Sequence, residues 1–221
     1  MGLDMYLTKS YSKYRKGDGT FSTNWDDCKI DMFGRSNRVT FSEMVGYWRK
    51  ANHIHKWFVD NVQDGEDDCK EYRVSIEQLH KLRDICFDIL SKLHGIEIRV
   101  PKKDVEDFKK ANDKFYGNSK IQRIIIDANN LETVKSLTGW HILTRSQIKK
   151  CDCHIDLPTQ DGFFFGSREY DGWYLRSLVD TIEMLDELFK KHDENDKIIK
   201  ENLKNNISAH TYFDYYYQAS W

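Results

Sequence analysis

Leu3, Met5 and Leu7 alternate with Asp4, Tyr6 and Thr8, the two-residue period of a half-buried strand. Residues 9 to 38 are mostly polar and carry Gly17, Gly19 and Gly34, which predicts loop with one short hairpin. From Thr40 or Ser42, either able to cap a helix, Met44, Trp48, Ala51, His55 and Phe58 recur at helical spacing. They predict a first helix running to about Val62, where Gln63-Asp64-Gly65 brings turn chemistry. The second helix is the clearest. Ser75 and Gln78 form a capping box, the stripe runs from Ile76 through Leu79, Leu82, Cys86 and Ile89 to Leu93, and Gly95 ends it. A third helix spans about Asp171 to Lys191, with Trp173, Leu175, Leu178, Ile182, Leu185 and Leu188 as its apolar positions. At the C-terminus Phe213, Tyr215, Tyr217 and Ala219 alternate with Tyr216 and Gln218, again as a strand.

Between these elements, residues 96–150 are lysine-rich and poorly patterned. A helix near 103–115, the apolar run Ile124 to Ile126 and a helix near 131–137 are expected there. The segment reads as an insertion or subdomain within one domain covering 1–221. Gly162-Phe163-Phe164-Phe165-Gly166-Ser167 reads as a short strand bracketed by glycines. The expected fold class is α+β. A small antiparallel sheet with paired terminal strands packs against three main helices and carries an inserted helical subdomain.

Composition narrows the function. A formal net charge of −2 argues against a general nucleic-acid coat, and no apolar run reaches membrane-spanning length. Met1-Gly2-Leu3-Asp4 does not start a signal peptide, and five scattered cysteines suit a reducing, cytoplasmic compartment. Cys151-Asp152-Cys153-His154 resembles part of a metal site, but the one-residue cysteine spacing is not the usual two. No metal or cofactor is expected. The acidic runs look solvated, and neither a phosphate-cradling loop nor a nucleophile elbow is present.

Residues 47 to 58 carry the densest chemistry, with aromatic, cationic and amide side chains interleaved. A helix apolar on nearly every side is normally buried, yet burying ionisable groups is expensive unless they are paired. Trp48, His55 and Phe58 fall on a core stripe, while Arg49, Asn52, His53 and Lys56 form a polar face beside Tyr47. Such a face suits a phosphorylated, planar ligand. Trp48 with Phe164 or Tyr216 would stack on it, and Arg49, Lys56 and Arg168 would pair with phosphate. Asn52, His53, Gln160 and Gln218 would bond base or ribose edges.

Four blocks together, Gly2–Leu7, Tyr47–Asn52 with His55, Gly162–Ser167 and Tyr216–Trp221, resemble a family of small phage and prophage proteins to which no catalytic residues are assigned. The resemblance skips residues 96–150. It implies a phage setting in the cytoplasm of a bacterial host. Small phage proteins of this size often counter host defence, some by sequestering nucleotide immune signals. The leading expectation is a protein that binds a cyclic dinucleotide or ADP-ribose derivative without cleaving it. The alternatives are a hydrolase or phosphodiesterase using His53 or His55, and an inhibitor that docks on a host defence complex through exposed aromatics. A sheet edge left open beside the paired termini would allow a second copy to extend it.

Overall fold

The computed structural model describes residues 2–24, 37–101, 121–135, 142–162, 165–205 and 211–221. In chain order its elements are β1 (Asp4–Arg15), β2 (Phe21–Ser22), β3 (Arg38–Arg49), α1 (Asn52–Asn61), β4 (Tyr72–Val74), α2 (Ile76–Lys92), β5 (Glu97–Pro101), β6 (Ile121–Ile125), α3 (Glu132–Lys135), α4 (Arg145–Cys151), α5 (Cys153–Asp156), α6 (Gly172–Lys204) and β7 (Asp214–Ser220). The class is α+β, with an antiparallel sheet set against helices.

β1 holds the centre of the sheet. Along one edge it pairs with β3, from Asp4↔Arg49 to Tyr14↔Arg38. Its other edge is shared by β7, opposite residues 4 to 10, and by β2, opposite Tyr14 and Arg15. β4 extends the sheet beyond β7. The two ends of the chain therefore lie side by side, as their alternation predicts. Met5, Leu7, Trp48, Tyr215, Tyr217 and Ala219 share the buried face, and Tyr6, Tyr47, Tyr216 and Gln218 the opposite one.

The expected first helix is corrected: residues 38–49 are a strand, and the helix begins only at Asn52. The register of β1 and β3 slips between Leu7 and Thr8, so that Val45 bulges and the buried parity changes along β3. That slip breaks the two-residue period and leaves an apolar spacing that imitates a helix. Val39, Thr40, Val45, Tyr47 and Trp48 favour extended backbone, and Gly46 disfavours a helix interior. Gly46 has a packing reason as well, since a Cβ there would stand 2.5 Å from the Met184 sulfur of α6.

α2 is capped by Ser75 and Gln78 in both directions, as expected, and buries Leu79, Leu82, Cys86, Ile89 and Leu90. It packs along α6, where Arg83 reaches both oxygens of Asp186 at 2.8 and 3.2 Å and His80 stacks on Phe189. α6 starts at the predicted cap, Asp171, but continues to Lys204, 13 residues past the expected end. Its last turns are polar and show no stripe to read, although Ile199 is buried. In the 96–150 segment the described residues open with the antiparallel pair β5–β6, and Ile98, Ile126 and Val134 join the main core. The helix expected near 103–115 lies outside the described residues. Phe163 and Phe164, the middle of the expected strand, are outside the described residues; the described residues on either side, Gly162 and Phe165 to Ser167, are not in a strand, and Gly166 adopts φ +99°.

Candidate functional site

α1 places two histidines, two residues apart, in opposite settings. His55 is fully buried. Its Nδ1 lies 2.7 Å from the Tyr217 hydroxyl and its Nε2 3.0 Å from Asp67, whose other oxygen accepts from Trp221 Nε1. Both ring nitrogens are used. His53 is 4 % exposed, lies 2.7 Å through Nε2 from Ser177 Oγ, and packs its ring against Tyr174 at 4.2 Å. No described residue bonds its Nδ1. Burial pushes the His53 pKa down to about 3, so the ring is neutral near neutral pH.

His53 lines a cleft of about 510 Å³. One wall is the end of β3 and the turn after it, Tyr47 to Ala51; β3 pairs only with β1 among the described residues. The other wall is the first turns of α6, with Trp173, Tyr174, Arg176, Ser177 and Asp180. Thr159, Gly166, Ser167, Glu169 and Asp171 close one end. The walls are fastened from beneath. Trp48 Nε1 donates to Thr181 Oγ1 at 2.8 Å, and Thr181 in turn donates to the Ser177 carbonyl.

Asn52 fixes the closing loop. Its amide nitrogen donates to the carbonyls of Ser167 (2.8 Å) and Phe165 (3.3 Å), and its oxygen accepts from the Gln160 backbone at 3.1 Å. Its amide is thus spent on the protein. Behind the loop, Phe165 meets His55 and Trp221 edge to face. The four sequence blocks therefore touch one another in space.

Of the residues singled out from sequence, the cleft gathers Tyr47, Trp48, Arg49 and His53. Asn52 and the Gln160 backbone hold its loop. Lys56 pairs with Asp60 at 2.7 Å, and Arg168 pairs with Asp161 at 2.8 Å; neither lines the cleft. Tyr216 and Gln218 sit on β7, across β1 from β3, and do not line the cleft, Gln218 donating to the Cys69 carbonyl. Phe164 is outside the described residues. Sequence reasoning missed Lys50, Arg176 and Ser177, and placed Trp173 among the apolar positions of α6. Trp173 is in fact 58 % exposed. Two residues before Leu175 it sits about 200° around the helix from it, which was the signal available.

Charges of both signs face the cleft. Arg49 stands 3.8 Å from Asp4, which also accepts from the Tyr47 hydroxyl, and Arg176 stands 4.0 Å from Asp180. Lys50 has no ion-pair partner among the described residues. Burial pushes the carboxyls of Asp171 and Asp180 up, and Asp171 accepts from the Tyr174 amide as the cap of α6. α1, by contrast, starts without a side-chain cap or an acidic residue in its first turn, so its positive end is uncompensated beside the cleft. Lys50 adopts φ +57°, and Gly166 packs against its carbonyl so closely that a Cβ there would stand 2.8 Å away. Two left-handed residues thus meet at the rim.

Elsewhere, Cys151 and Cys153 are buried with both sulfurs near the Ile148 carbonyl, whereas His154 is exposed. No helix among the described residues is long and apolar enough to cross a membrane. Comparison with family models, with curated proteins and with solved structures returned no match.

Proposed function

We propose that the chain binds a small nucleotide-derived ligand, a cyclic dinucleotide or an ADP-ribose derivative, in this cleft and holds it uncleaved as a phage counter-defence factor. The observation that carries the reading is an exposed Trp173 ring in a cleft that also presents Arg49, Lys50 and Arg176, none held by a close ion pair. The ring offers a stacking surface for a base, and Arg176 already lies 5.9 Å from its centroid. The cations and the uncapped start of α1 favour phosphate. Glu169 and Asp180 supply acceptors for ribose hydroxyls or base amines. The volume is that of a small-molecule site.

Lys50 supports the same reading. A left-handed conformation costs a non-glycine residue about 1–2 kcal/mol, and such strain concentrates at functional sites. A glycine would relieve it but would leave no ammonium at the rim. Isothermal titration with cyclic dinucleotides and ADP-ribose isomers tests the proposal, followed by heat release and mass analysis of the ligand. Micromolar or tighter binding with intact ligand recovered is expected. Failure of every member to bind overturns the reading, and recovery of a cleaved product replaces it with hydrolysis.

A further inference from the structure

We propose that His53 Nδ1 is the acceptor that reads a neutral hydrogen-bond donor on the ligand, the exocyclic amine of a base or a ribose hydroxyl. The inference rests on the ligand-binding reading above and deepens it to a chemical requirement.

The tautomer of this ring is set by Ser177. Its hydroxyl has one proton, and two groups lie 2.7 Å from it, the Tyr174 carbonyl and His53 Nε2. A carbonyl can only accept. Both bonds form together in one arrangement alone: Ser177 donates to the Tyr174 carbonyl, and His53 Nε2–H donates to Ser177 Oγ. Nε2 therefore carries the ring proton, and Nδ1 presents a lone pair. The desolvated ring stays neutral and does not supply a second N–H there. Its orientation is fixed by the Tyr174 ring and by its place near the start of α1.

Nδ1 has no partner among the described residues, and the side chain lines the cleft. His55 shows the contrast, with both nitrogens engaged. A lone pair at a nearly buried position rewards a donor and penalises an oxyanion or carbonyl brought against it. Phosphate then belongs toward Lys50 and Arg49, and a donor-bearing part of the ligand toward His53. A site that hydrogen-bonds one group discriminates against an analogue lacking it, because the acceptor is left unpaired.

The test compares cyclic di-AMP, cyclic di-GMP and ADP-ribose with their hypoxanthine counterparts, which lack the exocyclic amine, and with their 2′-deoxy counterparts. For whichever probe binds, one of the two changes should weaken affinity by about tenfold or more. His53→Phe keeps a ring against Tyr174 and leaves Ser177 bonded to its carbonyl. In that variant the discrimination should disappear. Equal affinity for the amino, oxo and deoxy forms in wild-type protein overturns this proposal and leaves ligand binding standing. Failure of all three probes to bind overturns both. Independently of any ligand, nitrogen-15 NMR should show His53 as the Nε2–H tautomer, unprotonated at Nδ1 from pH 5 to 8. An Nδ1–H tautomer contradicts the assignment.

Discussion

His53 and His55 sit two residues apart on α1, and the regions they face differ in one respect: how completely the polar groups are used. Around His55, Tyr217, Asp67 and Trp221 close a network that binds the last strand to the loop after α1. Around His53, one nitrogen is fixed and the other is left over, beside cations without close partners and an exposed indole. The first region is built for stability. The second leaves interactions unmade that a ligand can complete, and backbone strain at Lys50 accompanies it.

The sharpest way to break the contrast is His55→Phe. It strands the buried Tyr217 hydroxyl and takes one partner from Asp67, whose side chain is 29 % exposed, and stability should fall by about 1–3 kcal/mol in urea unfolding. A loss below about 1 kcal/mol would mean that the network does not hold the terminal strand.

The response of His53 to acid is next in size. Its folded pKa, about 3, lies below the ordinary 6.5, so the unfolded chain takes up the proton first. The stability this neutral ring contributes is complete above pH 6.5 and drains away as pH falls toward 3. The slope approaches about 1.4 kcal/mol per pH unit at its steepest. Unfolding midpoints at pH 7 and pH 4.5 should separate more in wild-type protein than in His53→Phe, and equal separations would contradict the burial of this ring.

The smallest effect is the most telling about the cleft. Lys50→Gly relieves a left-handed backbone, and stability should rise by about 1 kcal/mol while ligand affinity drops. A variant that is destabilised would remove strain at Lys50 from the account.

Much of the fold was legible. α2 was readable because a reciprocal cap, an unbroken stripe and a terminal glycine agree with one another. The terminal strands were readable because their alternation is uninterrupted where they pair. β3 was not, because the bulge at Val45 erases the period that identifies a strand, and the apolar residues then fall at helical intervals by coincidence. The tail of α6 was missed because its polar turns show no stripe; Lys191–Glu187 and His192–Asp196 contacts lie along it.

The candidate site was legible only on one side. Aromatic and cationic residues crowd together between Tyr47 and His53, and that crowding is visible in one dimension. The opposite wall comes from α6, more than 100 residues later, and the closing loop is set by three bonds to Asn52. Asn52 looked like a ligand contact because its residue type is right, but its partners are backbone groups that only the folded chain brings near. Lys50 carried no signal, since its left-handed backbone and its close contact with Gly166 appear only in the folded chain.

The central claim, that the cleft between β3 and α6 binds the ligand, is tested most directly by titrating wild-type protein and Trp173→Ala side by side with the same panel. Trp173 is exposed, so its loss should change stability by no more than about 0.5 kcal/mol. Loss of the stacking ring should weaken binding by about tenfold. Unchanged affinity in a stably folded Trp173→Ala protein would place the ligand elsewhere.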